Sequence, residues 1–278
     1  SDKTVKCAMK LHDDYVVESV LIPTNERMTA CISSQVGCSL ACTFCATGKL
    51  KRMRNLNADE IFDQVVLVRN QAKERYNMPL TNIVYMGMGE PLLNYAEVLK
   101  STEKIISPTG LGMSPSRITI STAGIAKMIE KLADDDVKFN LALSLHAAND
   151  EKRNKIMPIN ETNNLDALAD ALNYFSKKTG TRVTFEYCVF KDFNDSLEDA
   201  QQLADYCRRT ISKVNLIEYN PIDDGEYKQT TDARFVAFKQ HLEQNKIIVN
   251  VRRSRGKDID AACGQLANKN KLSEQELK

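Results

Sequence analysis

Three cysteines, Cys38, Cys42 and Cys45, stand in a C-x3-C-x2-C pattern inside the stretch CISSQVGCSLACTFCATGKL, residues 31–50. A strand or a straight helix would point side chains so spaced in different directions, whereas a loop can wrap them around one centre. Closely spaced thiolates are the ligands of iron–sulfur clusters, and a cubane held by three of them keeps one iron open to another molecule. Zinc is the competing centre, but structural zinc sites close with four protein ligands, commonly as two separate pairs. No second pair follows here: His12, His146 and His241 are isolated, and Cys188 and Cys207 lie far apart in segments patterned as strand and helix. The reading without chemistry is a loop of small buried thiols, because free cysteine often packs as a hydrophobe. Spacing and context favour the cluster.

The remaining chain has to position those thiols. Its 278 residues suffice for one large α/β domain or two small ones. With 42% hydrophobic and 27% charged residues it is composed like a globular protein, and a net charge of +1 leaves no global field to attract a polyanion. Nucleic-acid contact would therefore have to come from local patches. Eight cysteines, three of them in one tight loop, suit a reducing cytosol better than a disulfide-framed secreted domain. No signal peptide and no apolar run of about eighteen residues is present, so neither export nor a membrane span is expected.

Val5, Cys7, Met9 and Leu11 alternate incompletely, as an edge strand would, and Tyr15 to Ile22 reads as a second strand. That strand contains one carboxylate, Glu18, which on its own reads as solvent-facing. Met28 to Ser33 leads into the cysteine loop. Beyond it, Asn57 with early acids predicts a helix carrying Ile61, Val65, Val66 and Val68 on its apolar side. Strands are then predicted at 82–88, 117–121, 139–145, 182–190, 214–218 and 247–251. They alternate with helices near 96–106, 125–132, 150–156, 165–178, 197–209 and 232–244. Such alternation implies a parallel sheet with helical crossovers, in six βα units counted from the strand before the cysteine loop. The sheet is expected either to stay open or to curl into a full or partial barrel. Polar and small residues at predicted strand ends, namely Gly89, Glu90, Ser121, Ser144, His146 and Asn220, point to one shared cavity. The expected organisation is a strand extension over 1–26, a core over 27–268 and a polar tail over 269–278.

Gly87-Met88-Gly89 needs a separate decision, because G-x-G after a strand also opens a dinucleotide site. The third glycine would fall at Leu92, and the turn contains Glu90-Pro91 instead, so a Rossmann phosphate loop is rejected. A glycine turn that brings carbonyls and a carboxylate to an ammonium group fits better. Two basic runs, Lys49 to Arg54 and Arg252 to Lys257, read by default as solvated faces. Cys263, between alanine and glycine, is sterically open, and on local chemistry alone it reads as a small buried residue.

With those residues in view, the chain resembles the radical S-adenosylmethionine enzymes, through C-x3-C-x2-C with Phe44 before the last cysteine. More narrowly, CISSQVGCSLACTFCATG, MGMGEPLLN, ITISTAGI, LALSLHA, MPIN, NLIEYNP and DIDAACGQLA, in that order, resemble the RlmN/Cfr family of RNA methyltransferases. The resemblance runs from about Glu18 to Ala267. It implies a parallel (β/α)6 partial barrel of the radical SAM type. It also implies that the additional N-terminal RNA-binding domain of the family has no counterpart in these residues.

The same resemblance implies that Cys38, Cys42 and Cys45 ligate a [4Fe–4S] cluster whose fourth iron holds the amino and carboxylate groups of S-adenosyl-L-methionine. Gly89, Glu90, Ser121, Ser144, Leu145, His146 and Asn220 match the family's cofactor contacts. Cys263 matches a cysteine that becomes S-methylated, Cys31 a cysteine that resolves a covalent RNA adduct by forming a disulfide with Cys263, and Glu18 a proton acceptor. The implied product is an adenosine methylated on carbon 2, since Pro91 in MGMGEPL resembles that branch rather than the carbon-8 resistance branch. The implied partners are 23S rRNA and tRNA and an electron donor such as flavodoxin. A cytoplasmic monomer with no membrane attachment is expected, with both basic runs holding RNA phosphates. Two other classes would share part of this pattern: a zinc-stabilised RNA-binding module, and another radical enzyme such as a methylthiotransferase or an activase.

Overall fold

A computed structural model describes residues 2–268; the tail expected over 269–278 lies outside them. The chain forms two compact units. Of the described residues, the first comprises those up to Ser39, Cys45–Met113 and those from Arg255 on, and the second Leu40–Phe44 and Ser114–Ser254.

The first unit is built on β1 (Val5–Lys10), β2 (Val16–Pro23) and β3 (Met28–Cys31), with the two-residue β4 (Gln35–Val36) and β5 (Arg54–Asn55), helix α1 (Ala58–Tyr76), β6 (Asn82–Tyr85) and α2 (Tyr95–Ile106). β1, β2 and β3 pair antiparallel, and β3 pairs β6 in parallel through Cys31 and Val84. The expected extension over 1–26 is thus woven into the same sheet as the strand that delivers the cysteine loop. β2 is buried along most of its length, Glu18 included. α1 starts where the sequence predicts, because Asn57 and Glu60 form a reciprocal capping box at 2.9 and 3.0 Å. Its buried face is Ile61, Gln64, Val65, Val68 and Ala72, and it packs on β2, β3 and α2. β4 and β5 pair with each other and were not expected, since two-residue strands carry no readable alternation.

The second unit contains β7 (Ile118–Thr122), α3 (Ala126–Asp134), β8 (Asn140–Ser144), α4 (Asp150–Ile156), α5 (Leu165–Thr179), β9 (Val183–Val189), α6 (Leu197–Arg208), β10 (Ser212–Glu218), α7 (Asp232–Gln244) and β11 (Val249–Arg252). Here β7 to β11 lie side by side in chain order and all pair in parallel. β9, in the middle, is buried at every position, as a parallel strand covered on both faces must be. α3 packs against α5, and α6 against α7. Among the described residues no helix is long and apolar enough to cross a membrane.

Candidate active site

In the first unit the start of the cysteine loop is fixed from three sides by Ser33. Its N–H donates to Gln64 Oε1 at 2.9 Å and its carbonyl accepts from Gln64 Nε2 at 3.0 Å. Its hydroxyl donates to the Glu18 carbonyl at 2.6 Å and accepts the Met88 N–H at 2.8 Å. One buried serine thereby joins β2, α1 and the glycine turn after β6. That turn approaches the loop closely. Gly89 has φ +98°, and a Cβ placed there would stand 2.5 Å from Gln35 Cβ, so only glycine fits. Glu90, 3% exposed, donates its N–H to Gln35 Oε1 at 2.8 Å and accepts the Leu92 N–H at 3.0 Å.

Cys38 and Cys45 belong to this unit. Burial pushes the Cys45 thiol up, while the N–H groups of Gly48 and Thr47 and the Thr47 hydroxyl pull it back, and nearby Cys263 raises it further. A sulfur ringed by donors in this way suits a cluster thiolate, whose charge and potential depend on such hydrogen bonds. Among the described residues no group of three His, Cys, Asp or Glu side chains is placed to hold a single metal ion.

The segment bearing Cys263 lies against the loop. Ala46 N–H donates to the Gly264 carbonyl at 2.7 Å, and Thr47 Oγ1 to the Leu266 carbonyl at 2.6 Å. Cys263 itself is exposed between buried Ala262 and half-buried Gly264, contrary to the buried position expected from local chemistry. It is thus an exposed cysteine on a segment tethered to the cysteine loop. Glu18 is buried as well, and its Oε2 accepts the N–H groups of Ala267 and Asn268 at 3.0 and 3.1 Å. The solvent-facing reading of Glu18 is therefore wrong: the carboxylate serves as an anion for backbone amides. Val20 stands opposite Cys31 in the β2–β3 pairing, so Glu18, Val20 and Cys31 share one face of the sheet. The disulfide expected of Cys31 and Cys263 is not formed, and none of the eight cysteines is disulfide-bonded. The resemblance places that bond at the end of a reaction cycle, as a product of thiol exchange, so its absence is what reduced thiols give.

The second unit holds Cys42 and the other strand ends. Ser121 and Ser144, on β7 and β8, bring their hydroxyls to 3.4 Å. The N–H groups of Leu145 and His146 donate to the Glu186 carbonyl at 3.0 and 3.4 Å. His146 has φ +56°, and its Nδ1 accepts the Cys188 N–H at 3.0 Å, which leaves the proton on Nε2. Burial, with the Arg153 charge adding to it, pulls its pKa down to about 3. Phe44 meets the His146 ring edge-on with centroids 4.7 Å apart. Asn220 lies buried just beyond β10.

Arg153 on α4 is the hub of this half. Fully buried, it donates to the carbonyls of Leu145 and Ser144 at 3.1 Å each and of Ala123 at 2.6 Å, and to Asn160 Oδ1 at 2.6 Å. Burial lowers its pKa to about 10, and the Cys42 thiol is among the groups that oppose this. Thr43 N–H, next to Cys42, donates to the Ile156 carbonyl at 3.1 Å. One helix thus ties down both strand ends and the middle cysteine. Nothing in DEKRNKI marks Arg153, since its neighbours are all surface residues by type. Gln64 could have been found as a polar residue on an otherwise apolar helix face.

The basic runs divide. Arg54 is committed to Asp13 and Glu60, at 2.5 and 2.8 Å, and Arg252 to Glu186 at 3.0 Å, so neither is a spare phosphate ligand. Lys49, Lys51, Arg52, Arg253 and Lys257 remain exposed.

Residues 32–206 match the Radical SAM superfamily. A protein of Christiangramia forsetii described as "Probable dual-specificity RNA methyltransferase RlmN" is 62% identical over 269 residues, covering 97% of this chain and 76% of its own length. One of the same description from Cytophaga hutchinsonii is 61% identical, with 97% and 74% covered. The crystal structure of a radical SAM methyltransferase from Sphaerobacter thermophilus superposes with a TM-score of 0.92 at 40% identity, over 95% of this chain and 77% of that one. The α/β architecture expected from the alternating pattern is accordingly that of radical SAM enzymes. On motif order, identity and fold, this chain belongs to the RlmN family of radical SAM RNA methyltransferases.

Proposed function

We propose that this protein methylates carbon 2 of an adenosine in 23S rRNA, and in tRNA, through an S-methylated Cys263, in the cytoplasm. The observation that carries this reading is the 2.7 Å bond from Ala46 to Gly264, which lays an exposed cysteine beside the last cysteine of the C-x3-C-x2-C loop. An adenine carbon between two nitrogens is electron-poor and cannot displace a sulfonium methyl itself. A protein thiolate can.

Cys38, Cys42 and Cys45 would hold the cluster, and Gly89, Glu90, Ser121, Ser144 through His146 and Asn220 the S-adenosylmethionine. When bound there, the cluster would supply one-electron chemistry at S-adenosylmethionine, yielding methionine and a 5′-deoxyadenosyl radical, and would take one electron back from the base adduct. The chain's own groups do the rest. The Cys263 thiolate would take the methyl of a first S-adenosylmethionine, releasing S-adenosylhomocysteine. That methyl would give one hydrogen to the radical, leaving 5′-deoxyadenosine, and the resulting methylene would add to the base. Glu18 accepts the ring proton. The Cys31 thiolate then attacks the Cys263 sulfur: the S–S bond forms, the S–CH2 bond breaks, and its electron pair goes to the methylene carbon, which takes up a proton to become the methyl group. An external reductant must reopen that disulfide and, like flavodoxin, feed the cluster. The exposed cations Lys49, Lys51, Arg52, Arg253 and Lys257 supply phosphate contacts weakened by salt.

Mass spectrometry tests this. Cys263 in the anaerobically loaded protein should carry one methyl, and Cys31→Ala should accumulate a covalent RNA adduct. If Cys263→Ala still methylates RNA, the reading fails.

A further inference from the structure

Lys6 stands out among the residues the reaction scheme leaves unused. Its ammonium group lies 3.2 Å from Glu18 Oε1, and the two side chains are only 7% and 1% exposed. Lysine is almost never buried without a partner, because the ion loses its hydration. The same Nζ reaches the Asp260 carbonyl at 3.5 Å. The other oxygen of Glu18, Oε2, holds the N–H groups of Ala267 and Asn268. Asp260 lies before Cys263 and Ala267 after it. One ammonium–carboxylate pair therefore fastens both stems of the turn that carries the exposed thiol. Register explains why this pair can also face Cys31. Lys6 stands opposite Val20 in the β1–β2 pairing, and Val20 opposite Cys31 in β2–β3, so Lys6, Glu18 and Cys31 lie on one face of the sheet.

We propose that Lys6 is a positioning residue, and that the Lys6–Glu18 pair is a clasp on the Cys263 turn which opens when Glu18 takes up a proton. This rests on the reading of Glu18 as the proton acceptor. In that step the proton leaves the ring carbon of the cross-linked base for a Glu18 oxygen, and the C–H electron pair stays with the ring. The carboxylate becomes a neutral carboxyl. It was ion-paired to one ammonium and accepted charge-assisted bonds from two amides, and such bonds are roughly twice as strong as neutral ones. Losing the charge loosens both stems together. The turn is then free to bring the Cys263 sulfur within reach of Cys31 only after the base has given up its proton. The order of the two final steps is thereby built into the fold, and the disulfide does not form on an adduct that still holds its ring hydrogen.

Hydrogen exchange at the Ala267 and Asn268 amides of the cluster-loaded protein reads the clasp without turnover. Lys6→Met should raise exchange there at least tenfold, and Glu18→Gln, which mimics the protonated carboxyl, should do the same. Lys6→Arg should restore protection. Single-turnover kinetics on RNA read the consequence: with the clasp already open, Lys6→Met should speed decay of the covalent adduct at least tenfold, and Lys6→Arg should restore most of the wild-type delay. Thermal unfolding of each variant separates this from global loss of structure. Wild-type protection at both amides in Lys6→Met, or in Glu18→Gln, overturns the clasp, as does adduct decay in Lys6→Met that is unchanged or slower. Absence of any methyl on wild-type Cys263 would instead sink the function proposed above, while the exchange result would still decide the clasp.

Discussion

Replacing Arg153 by methionine keeps its bulk and removes a buried hub. The wild-type guanidinium makes four hydrogen bonds, to the carbonyls of Leu145, Ser144 and Ala123 and to Asn160 Oδ1. A hydrogen bond from a charged donor contributes ~1.5–3 kcal/mol, so four independent ones would sum to about 6–12 kcal/mol. They are not independent, and part is returned because the charge no longer has to be buried, a burden visible in the descent of the Arg153 pKa to about 10. A net loss of about 4 kcal/mol follows, in line with removing one member of a buried charged network. At about 2–4 °C per kcal/mol for a chain of this size, the midpoint of thermal unfolding should fall by about 8–16 °C. Arg153→Lys, with a single point charge in place of a fork, should recover less than half. Calorimetry on the protein measures both. S-adenosylmethionine binding to the reconstituted protein, by titration calorimetry, should weaken with them, because the strand ends of β7 and β8 lose their tether. A methionine variant within about 1 kcal/mol of wild type would refute the assignment of Arg153 as the hub.

Gly89→Ala places a Cβ 2.5 Å from Gln35 Cβ on a backbone at φ +98°. Strain and overpacking should together cost about 2–4 kcal/mol. Urea unfolding measures it, and a cost below about 1 kcal/mol would mean the turn is softer than its geometry indicates. His146 gives a pH signature. Folded, it resists protonation until about pH 3, whereas an unfolded histidine protonates near 6.5. Its contribution is therefore complete above pH 6.5 and is lost as the pH falls from there toward 3, at about 1.4 kcal/mol per unit. His146→Gln should flatten the stability profile between pH 6 and 4 by one proton; an unaltered slope would show that the imidazole protonates in place.

Much of the fold was legible because its elements are periodic and well punctuated. Asn57 with Glu60 announces α1, and the ranges of α4 and α7 are met to the residue, because caps and hydrophobic spacing agree there. The pairing of β4 with β5 was illegible for want of length. The site was legible where a residue type is unusual in itself, as with three crowded cysteines or glycines before Glu90-Pro91. It was illegible where a common residue becomes unusual only by burial. Glu18 looked like a solvent-facing strand residue, and nothing local singled out Lys6 or Arg153, yet each is buried or nearly so against backbone carbonyls or amides. Arg54 erred in the opposite direction: a run of cations suggested a free charge, and Asp13 and Glu60 had already claimed it. Burial and pairing are long-range facts, set by segments far apart in the chain, so local sequence does not report them.

Thr47 and Leu266 meet across 219 positions of sequence. Bringing such distant stretches together requires most of the polypeptide to be synthesised and in place first, since loop closure precedes any reward from contact. A nascent or prematurely terminated product would display the C-x3-C-x2-C cysteines without Cys263 beside them. On the function proposed above, a product cut short of Cys263 could not carry the methyl, so completing the chain is what joins the two halves of the chemistry.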